Sequence, residues 1–207
     1  KNPLGCISRQ GFDVDGRPMW VENRYGGVSR VRYNSIGLIE EKVETDGLIT
    51  SYKYDSRYNV IENRVTGGKI QRVNYFAYNE CDKLISLTNT YGYGILNAYD
   101  KLGRMVSSTD PLGCQTIYEW NPDGSLKTKL LKDSRSLVVR QVDFEYNKYG
   151  LVSEDKTTGI GLPTDGIVQR YSYTPMGTIR TSIDPNGNQS KCEYDVCGRL
   201  IKLIDPL

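Results

Sequence analysis

An aromatic residue recurs along this chain at a nearly constant step, and this period limits what the chain can fold into. Five of the eight steps are 21 residues long, and the other three are 24, 26 and 27 residues. The nine aromatic slots are Phe12, Tyr33, Tyr54, Tyr78, Tyr99, Trp120, Tyr146, Tyr173 and Tyr194. A repeat this short cannot bury its own apolar face, so neighbouring repeats must stack. The period therefore predicts one repeat array over residues 1–207, with about nine units of 21–27 residues.

The residues that follow each aromatic slot are typical of a turn. One position on, eight of nine copies carry Asp or Asn, and four positions on, seven of nine carry Gly, as at Gly103 and Gly198. Asx side chains cap such turns, and Gly accepts positive φ. Because an apolar residue follows two positions later, we expect the aromatic to end one strand and the apolar residue to begin the next. Tyr58 and Asp82 replace the Gly, which leaves the geometry of their turns open.

A second turn is predicted in the middle of each repeat. Fourteen residues after the aromatic slot, six of eight copies carry Gly, and Gly113 and Gly187 end Asp-Pro-X-Gly sequences. Proline at the second position of a turn fixes φ at a suitable value and supplies no donor that a turn needs. The two repeats without this Gly are the longest. Their extra residues are predicted to extend the hairpin tips at Leu130–Val139 and Thr157–Gly166.

The segments between these turns alternate in polarity as strands do. In Cys114–Trp120, one face carries Cys, Thr, Tyr and Trp, because side chains two positions apart on a strand point the same way. Sixteen Tyr against three Phe suit a half-exposed sheet face, where the ring packs and the hydroxyl finds a partner or water. We predict an all-β fold of repetitive antiparallel hairpins, with turns at 100–103 and 110–113 and without helices.

Composition and charge narrow the function classes. The formal net charge is +2 with 25% charged residues, which indicates neither a nucleic-acid nor a membrane partner. No apolar run is long enough to span a bilayer. The chain begins at Lys1 without Met and stops at Leu207 inside a ninth repeat, so we interpret it as a fragment of a longer array.

The five cysteines do not predict a metal site or a disulfide framework. They are Cys6, Cys81, Cys114, Cys192 and Cys197, an odd number at irregular spacing. The chain has no histidine and no CxxC motif, so we expect no metal and no cofactor. Free thiols fit assembly in a reducing cytosol, even for a product that is exported later.

Catalysis has little support in the sequence. Without histidine there is no ordinary Ser-His-Asp or Cys-His machinery. The pairs Asp13/Asp15 and Glu40/Glu41 suggest a glycosidase hypothesis, but solvation of turns and strand surfaces explains them as well. We therefore predict that the chain is not an enzyme and has no catalytic residue. Stacking of sugars on the aromatic residues stays open as an alternative.

Two of the repeats carry a recognisable motif. The run from Tyr99 to Met105, continuing to Asp110–Gly113, resembles the consensus YD repeat of the Rhs family, and Tyr194–Leu200 followed by Asp205 and Pro206 resembles it again. The resemblance extends from about Phe12 to Leu207. Related repeats occur in bacterial Rhs polymorphic toxins, in the B and C components of Tc toxins, in wall-associated bacterial proteins and in animal teneurins. The family's self-cleaving core segment has no match here, so no catalytic residue is carried over.

The resemblance implies a fold and a function. It implies a sheet that spirals into a hollow shell, and in the toxins this shell encloses a C-terminal toxin domain. The expected partners are the rest of the same shell polypeptide, the enclosed toxin domain, and secretion-system or delivery proteins. The expected location is secreted or cell-surface, after assembly in the bacterial cytoplasm. The alternative is an extracellular adhesion module that binds carbohydrate or protein.

Overall fold

The chain folds entirely into antiparallel β-structure in the part that can be described. The computed structural model describes residues 8–205, and these residues contain no helix. They therefore contain no helix that could cross a membrane. Cys6, Pro206 and Leu207, named above, lie outside the described residues. Internal contacts divide the chain into two compact units, Lys1–Leu96 and Asn97–Leu207.

In the first unit each strand pairs antiparallel with the next strand along the chain. Strand β9 begins in this unit and ends after Leu96. The strands are β1 (Arg9–Phe12), β2 (Pro18–Glu22), β3 (Val28–Tyr33), β4 (Ile39–Val43), β5 (Ile49–Tyr54), β6 (Val60–Gly67), β7 (Ile70–Tyr78), β8 (Leu84–Asn89) and β9 (Gly94–Tyr99).

The second unit repeats the same sequential antiparallel pairing. Its strands are β10 (Met105–Thr109), β11 (Gln115–Trp120), β12 (Leu126–Lys132), β13 (Val138–Tyr146), β14 (Val152–Gly159), β15 (Ile167–Tyr173), β16 (Ile179–Ile183), β17 (Gln189–Tyr194) and β18 (Leu200–Ile204).

Strand boundaries follow the repeat. Every aromatic slot is the last residue of a strand, and the residue six positions later is the first residue of the next strand. The all-β hairpin fold is therefore confirmed. The turns predicted at 100–103 and 110–113 form, with the amides of Gly103 and Gly113 donating to the carbonyl oxygens of Asp100 and Asp110, each at 3.0 Å.

The two turns without the expected glycine keep the same geometry. Tyr58 and Asp82 adopt φ of 69° and 58°, in the left-handed region that a non-glycine residue enters only at a cost in strain. Their amides donate to the carbonyl oxygens of Asp55 and Asn79, each at 3.1 Å. The turn is therefore imposed by its surroundings at these two positions.

The extended hairpins form, but their extra residues enter the strands more than the turns. Strands β12 and β13 have 7 and 9 residues, whereas β10 and β11 have 5 and 6. The turn between β12 and β13 keeps the common form, with Ser136 at a φ of 66° in place of glycine. Between β14 and β15, part of the extra length lies in the longer connection 160–166.

Neither unit contains an enclosed core among the described residues. The buried side chains there are Val73, 3% exposed, and Thr128, 5% exposed. All other strand residues among those described are half-buried or exposed. Each repeat is therefore held chiefly by its neighbours along the chain, as expected of a repeat array.

Candidate functional site: the aromatic ladder

The aromatic slots form a ladder of hydrogen bonds between repeats. The slot side chain donates to the backbone carbonyl oxygen of the residue that begins a strand in the preceding repeat, as from Tyr54 Oη to Ile39 O at 2.6 Å. The other tyrosine pairs are Tyr33 to Pro18 (3.0 Å), Tyr78 to Val60 (3.0 Å), Tyr146 to Leu126 (2.7 Å), Tyr173 to Val152 (2.6 Å) and Tyr194 to Ile179 (2.8 Å). A bond of this type contributes about 0.5–1.5 kcal/mol.

Tryptophan replaces tyrosine in the ladder without loss of the bond. The indole Nε1 of Trp120 donates to Met105 O at 2.8 Å. Seven of the nine slots thus form this bond, which Tyr and Trp can donate and Phe cannot, although a Phe ring would pack equally well. Phe12, which fills the first slot, has no such donor. Tyr99, which fills the fifth slot, also has an interaction partner.

The acceptors of the ladder lie at β-bulges. The register shifts where Tyr33 faces Ile39 and where Tyr54 faces Val60. A bulge interrupts the pairing between strands and increases their twist. The carbonyl groups of Ile39 and Val60 then receive the hydroxyl groups of Tyr54 and Tyr78.

Four of the ladder hydroxyls have a pKa above the usual tyrosine value. Burial raises the pKa of Tyr54, Tyr78, Tyr146 and Tyr173. Burial and the carboxylate of Asp155, which accepts the hydrogen bond of Tyr171 at 2.8 Å, together raise the pKa of Tyr171, two residues before the slot, to about 12.

Arginines connect the turn of one repeat to the next repeat. Arg17 and Arg104 pair with Asp13 and Asp100 of their own turns, at 2.6 and 2.7 Å. The guanidinium of Arg17 lies 4.7 Å from the ring centre of Tyr33, a distance suited to a cation–π interaction. This role was not predicted from the sequence, although Arg follows the turn glycine in three repeats.

Arg104 and Arg57 extend these contacts to the backbone. Arg104 lies 5.6 Å from the ring centre of Trp120 and donates to Asn121 O at 3.2 Å. Arg57 donates to the carbonyl oxygens of Asn79 and Glu80, at 2.9 and 2.8 Å. Side chains of the turns thus hold neighbouring repeats in register.

The glycines of the predicted repeat lie at left-handed positions. Gly103, Gly113, Gly187 and Gly198 have φ between 75° and 85°. Asx side chains cap these turns: Asp100 Oδ1 accepts from the amides of Leu102 and Arg104, each at 2.9 Å. The hydrogen bond from the amide of Arg104 lowers the pKa of Asp100 most, and together these bonds hold it below its usual range.

The residues two positions before the slots lie half-buried: Val31, Tyr52, Phe76, Tyr118, Phe144, Tyr171 and Cys192. Residues of the intervening strands separate them. Lys129 lies opposite Tyr118, and Val142 lies opposite Lys129. The aromatic layer is therefore interleaved with aliphatic and charged side chains.

The carboxylate pairs considered for catalysis have structural partners. Asp13 accepts from the amides of Asp15 and Arg17 and pairs with the Arg17 guanidinium. Glu40 and Glu41 both lie within ion-pair distance of Arg32, at 3.0 and 3.5 Å. These contacts explain the pairs through turn capping and cross-strand charge.

The cysteines and acidic residues form no metal cluster within residues 8–205. Cys81 and Cys197 are exposed, and Cys114 and Cys192 are half-buried; all four are free thiols.

Comparison with known proteins gives one sequence relative. No protein-family model matches the chain. Over 126 residues, 61% of this chain, the sequence is 29% identical to double-stranded DNA deaminase toxin A of Burkholderia cenocepacia (strain H111). The chain spans only 8% of that relative's length. The resemblance to a toxin that the repeat motif indicates is thus borne out in sequence.

Two solved structures are similar over most of the chain. The TcdB2-TccC3 complex matches 90% of this chain and 14% of that chain, with a TM-score of 0.48 and 11% identity. The Tc holotoxin pore of Photorhabdus luminescens also matches 90% of this chain and 14% of that chain, with a TM-score of 0.43 and 12% identity. The chain therefore spans about a seventh of each of these proteins.

Proposed function

We propose that this chain is a segment of a repeat shell that encloses a C-terminal toxin domain until delivery. The observation that carries the proposal is the aromatic ladder: in seven of the nine slots, a donor on the ring joins one repeat to a carbonyl group of the repeat before it. Such bonds extend a sheet by one repeat at a time and add no pocket. They suit a wall better than an active site.

The low burial of the chain supports the same function. With Val73 and Thr128 as the buried side chains of residues 8–205, neither unit has an enclosed core among its described residues. A single layer of this kind gains stability from length, because each added repeat contributes an interface. It also has two faces, and a shell needs two: one toward the cargo and one toward solvent.

The partners and location belong to the proposal. The partners are the remaining shell polypeptide, the enclosed toxin domain, and secretion-system or delivery proteins. We propose assembly in the bacterial cytoplasm, which the free thiols of Cys81, Cys114, Cys192 and Cys197 support. The shell would then act in a secreted or cell-surface protein.

Protease protection tests the proposed function. In a protein that carries this chain ahead of a C-terminal toxin domain, the toxin domain is expected to resist proteolysis while the same domain alone is digested. Replacing Tyr54, Tyr146 and Tyr173 by Phe removes three ladder donors and keeps the rings, so protection is expected to weaken. Digestion of the toxin domain at the same rate with and without this chain would refute encapsulation. Binding to immobilised glycans would then favour an adhesion module.

A further inference from the structure

Strands β11–β13 carry their carboxylates on one face of the sheet, whereas Lys129 and Arg140 lie on the other face. On one face, Tyr118 lies opposite Lys129 and Lys129 opposite Val142, while Leu131 lies opposite Arg140. We call these five residues the basic face. The strand residues of this face include cations and no anion.

The reverse face of the same strands carries their carboxylates together with Lys132. Glu119 lies opposite Thr128, and Thr128 lies opposite Asp143. Asp143 accepts from Thr128 Oγ1 at 2.9 Å and from Gln141 Nε2 at 2.8 Å. Glu145 follows on the same side of β13. The carboxylates therefore lie on the side of the sheet opposite to Lys129 and Arg140 and cannot neutralise them by direct contact.

The cations of the basic face are exposed and unpaired. Lys129 and Arg140 are exposed, and neither forms an ion pair within residues 8–205. They occupy diagonal positions on neighbouring strands, where residues lie about 7–8 Å apart. Elsewhere, charges on the strands often meet a partner, as Arg170 meets Glu154 at 2.8 Å and Lys53 meets Glu62 at 3.0 Å.

Apolar surface surrounds these two cations. Leu131, which lies two residues from Lys129 on β12 and opposite Arg140, is 40% exposed. Tyr118 and Val142 are half-buried. Asp155 of β14 is the nearby acid on this side, since it lies opposite Phe144, but its carboxylate accepts the hydroxyl of Tyr171. Like charges placed close together on a sheet destabilise it, so the arrangement gains nothing for folding.

We propose that the basic face binds an acidic polypeptide segment. Two adjacent cations flanked by Leu131, Val142 and the ring of Tyr118 complement a strand or loop that alternates carboxylates with apolar side chains. Charge complementarity of this kind chiefly sets partner choice and association rate. The inference is independent of the proposed shell, because it depends on the charges of this hairpin alone.

A protein partner fits this surface better than a nucleic acid does. Nucleic-acid binding depends on many cations along the phosphate backbone, whereas the basic face offers two, with the exposed Lys127 of β12 as a third nearby, and the chain has a net charge of only +2. Binding of single strands also needs open rings on which bases stack, and Tyr118 is half-buried.

Anisotropy of a fluorescent decaglutamate peptide tests the proposal on the whole chain. The double variant Lys129→Gln/Arg140→Gln removes the cations of the basic face. The matched control Lys132→Gln/Lys156→Gln removes the same charge from the reverse face of β12 and β14. Because exposed ion pairs contribute little each, the first variant is expected to weaken binding by up to about tenfold and the control by less than about twofold. Circular dichroism checks that both variants fold.

Three outcomes would overturn the proposal. The first is no binding of decaglutamate at low salt, and the second is equal weakening by both variants, which would reflect net charge only. The third is tighter binding of an oligothymidylate of the same charge, which would indicate a nucleic-acid surface. Loss of binding in the Lys129/Arg140 variant alone supports the proposal.

Discussion

The two sets of turns in this protein differ in what they connect. The aromatic-side turns, which follow the slots, bind neighbouring repeats through tyrosine hydroxyls, the Trp120 indole and the guanidinium groups of Arg17, Arg57 and Arg104. The tip turns at the other end of the strands make mostly local bonds, as from the amides of Leu112 and Cys114 to Asp110 Oδ1. Tip bonds between repeats are fewer, such as the one from Ser190 Oγ to Asp205 at 3.0 Å.

This difference explains where the repeats vary in length. All nine aromatic-side turns have the same size, whereas the tips range from the two residues 68–69 to the seven residues 160–166. A change in an aromatic-side turn would displace the ladder donor from its acceptor in the neighbouring repeat. A tip can lengthen because only its own hairpin has to adapt.

Removal of one ladder ring should have the largest effect. Trp120→Ala deletes a half-buried ring, its bond to Met105 and its contact with Arg104, and is expected to destabilise the chain by about 3 kcal/mol. Leu112→Ala, at a tip residue that is 77% exposed, should change stability by less than about 0.5 kcal/mol. Urea unfolding followed by circular dichroism measures both. Equal effects would remove the distinction between the two sets of turns.

Insertions should give the second-largest difference in stability between the two sets of turns. A Gly-Ser insertion between Lys101 and Leu102 would displace Arg104 from Asp100 and from Asn121, for an expected loss of about 2 kcal/mol. The same insertion between Ser134 and Arg135, at a tip, should cost less than about 1 kcal/mol because loop closure depends weakly on length. Thermal unfolding midpoints of the two variants give the comparison, and a larger shift for the tip insertion would contradict it.

Deletion of a single ladder hydroxyl should have a smaller effect. Tyr173→Phe leaves the ring in place and removes the donor to Val152 O, which should lower the free energy of unfolding by about 1 kcal/mol. Tyr91→Phe is the control, because this tip residue is 82% exposed. If both variants unfolded at the wild-type urea concentration, the ladder would be a packing feature and its hydrogen bonds would contribute nothing.

Alkaline pH should gradually lower the free energy of unfolding, because Tyr171 loses its proton. The folded state raises the pKa of Tyr171 from 10.0 to about 12, so it holds this proton more tightly than the unfolded chain does. The resulting stability is fully present below pH 10 and is lost as the pH rises toward about 12. Tyrosinate absorbance followed along a pH titration measures this, with Tyr171→Phe as control. Asp155→Asn should move the titration to lower pH, and an unchanged curve would show that the carboxylate has no influence.

The repeat period determined the fold class, the strand boundaries and the turns of this protein. Asx and Gly four residues apart fix a turn through local bonds, and alternation along a strand fixes which side chains share a face. The aromatic slots were therefore placed correctly at strand ends, and Gly103 and Gly198 at the turns. None of this required knowledge of a distant contact.

Tertiary structure alone decided how the slots act. The ladder joins a side chain to a carbonyl group 15 or more residues away. Because every residue has a backbone carbonyl group, the sequence does not indicate which one accepts, as Pro18, Ile39 and Val60 illustrate. The left-handed Tyr58 likewise follows from its surroundings, because a bulky side chain seldom adopts that geometry. The separation of Lys129 and Arg140 from Glu119 and Asp143 depends on strand register, since a shift of one residue would exchange the two faces.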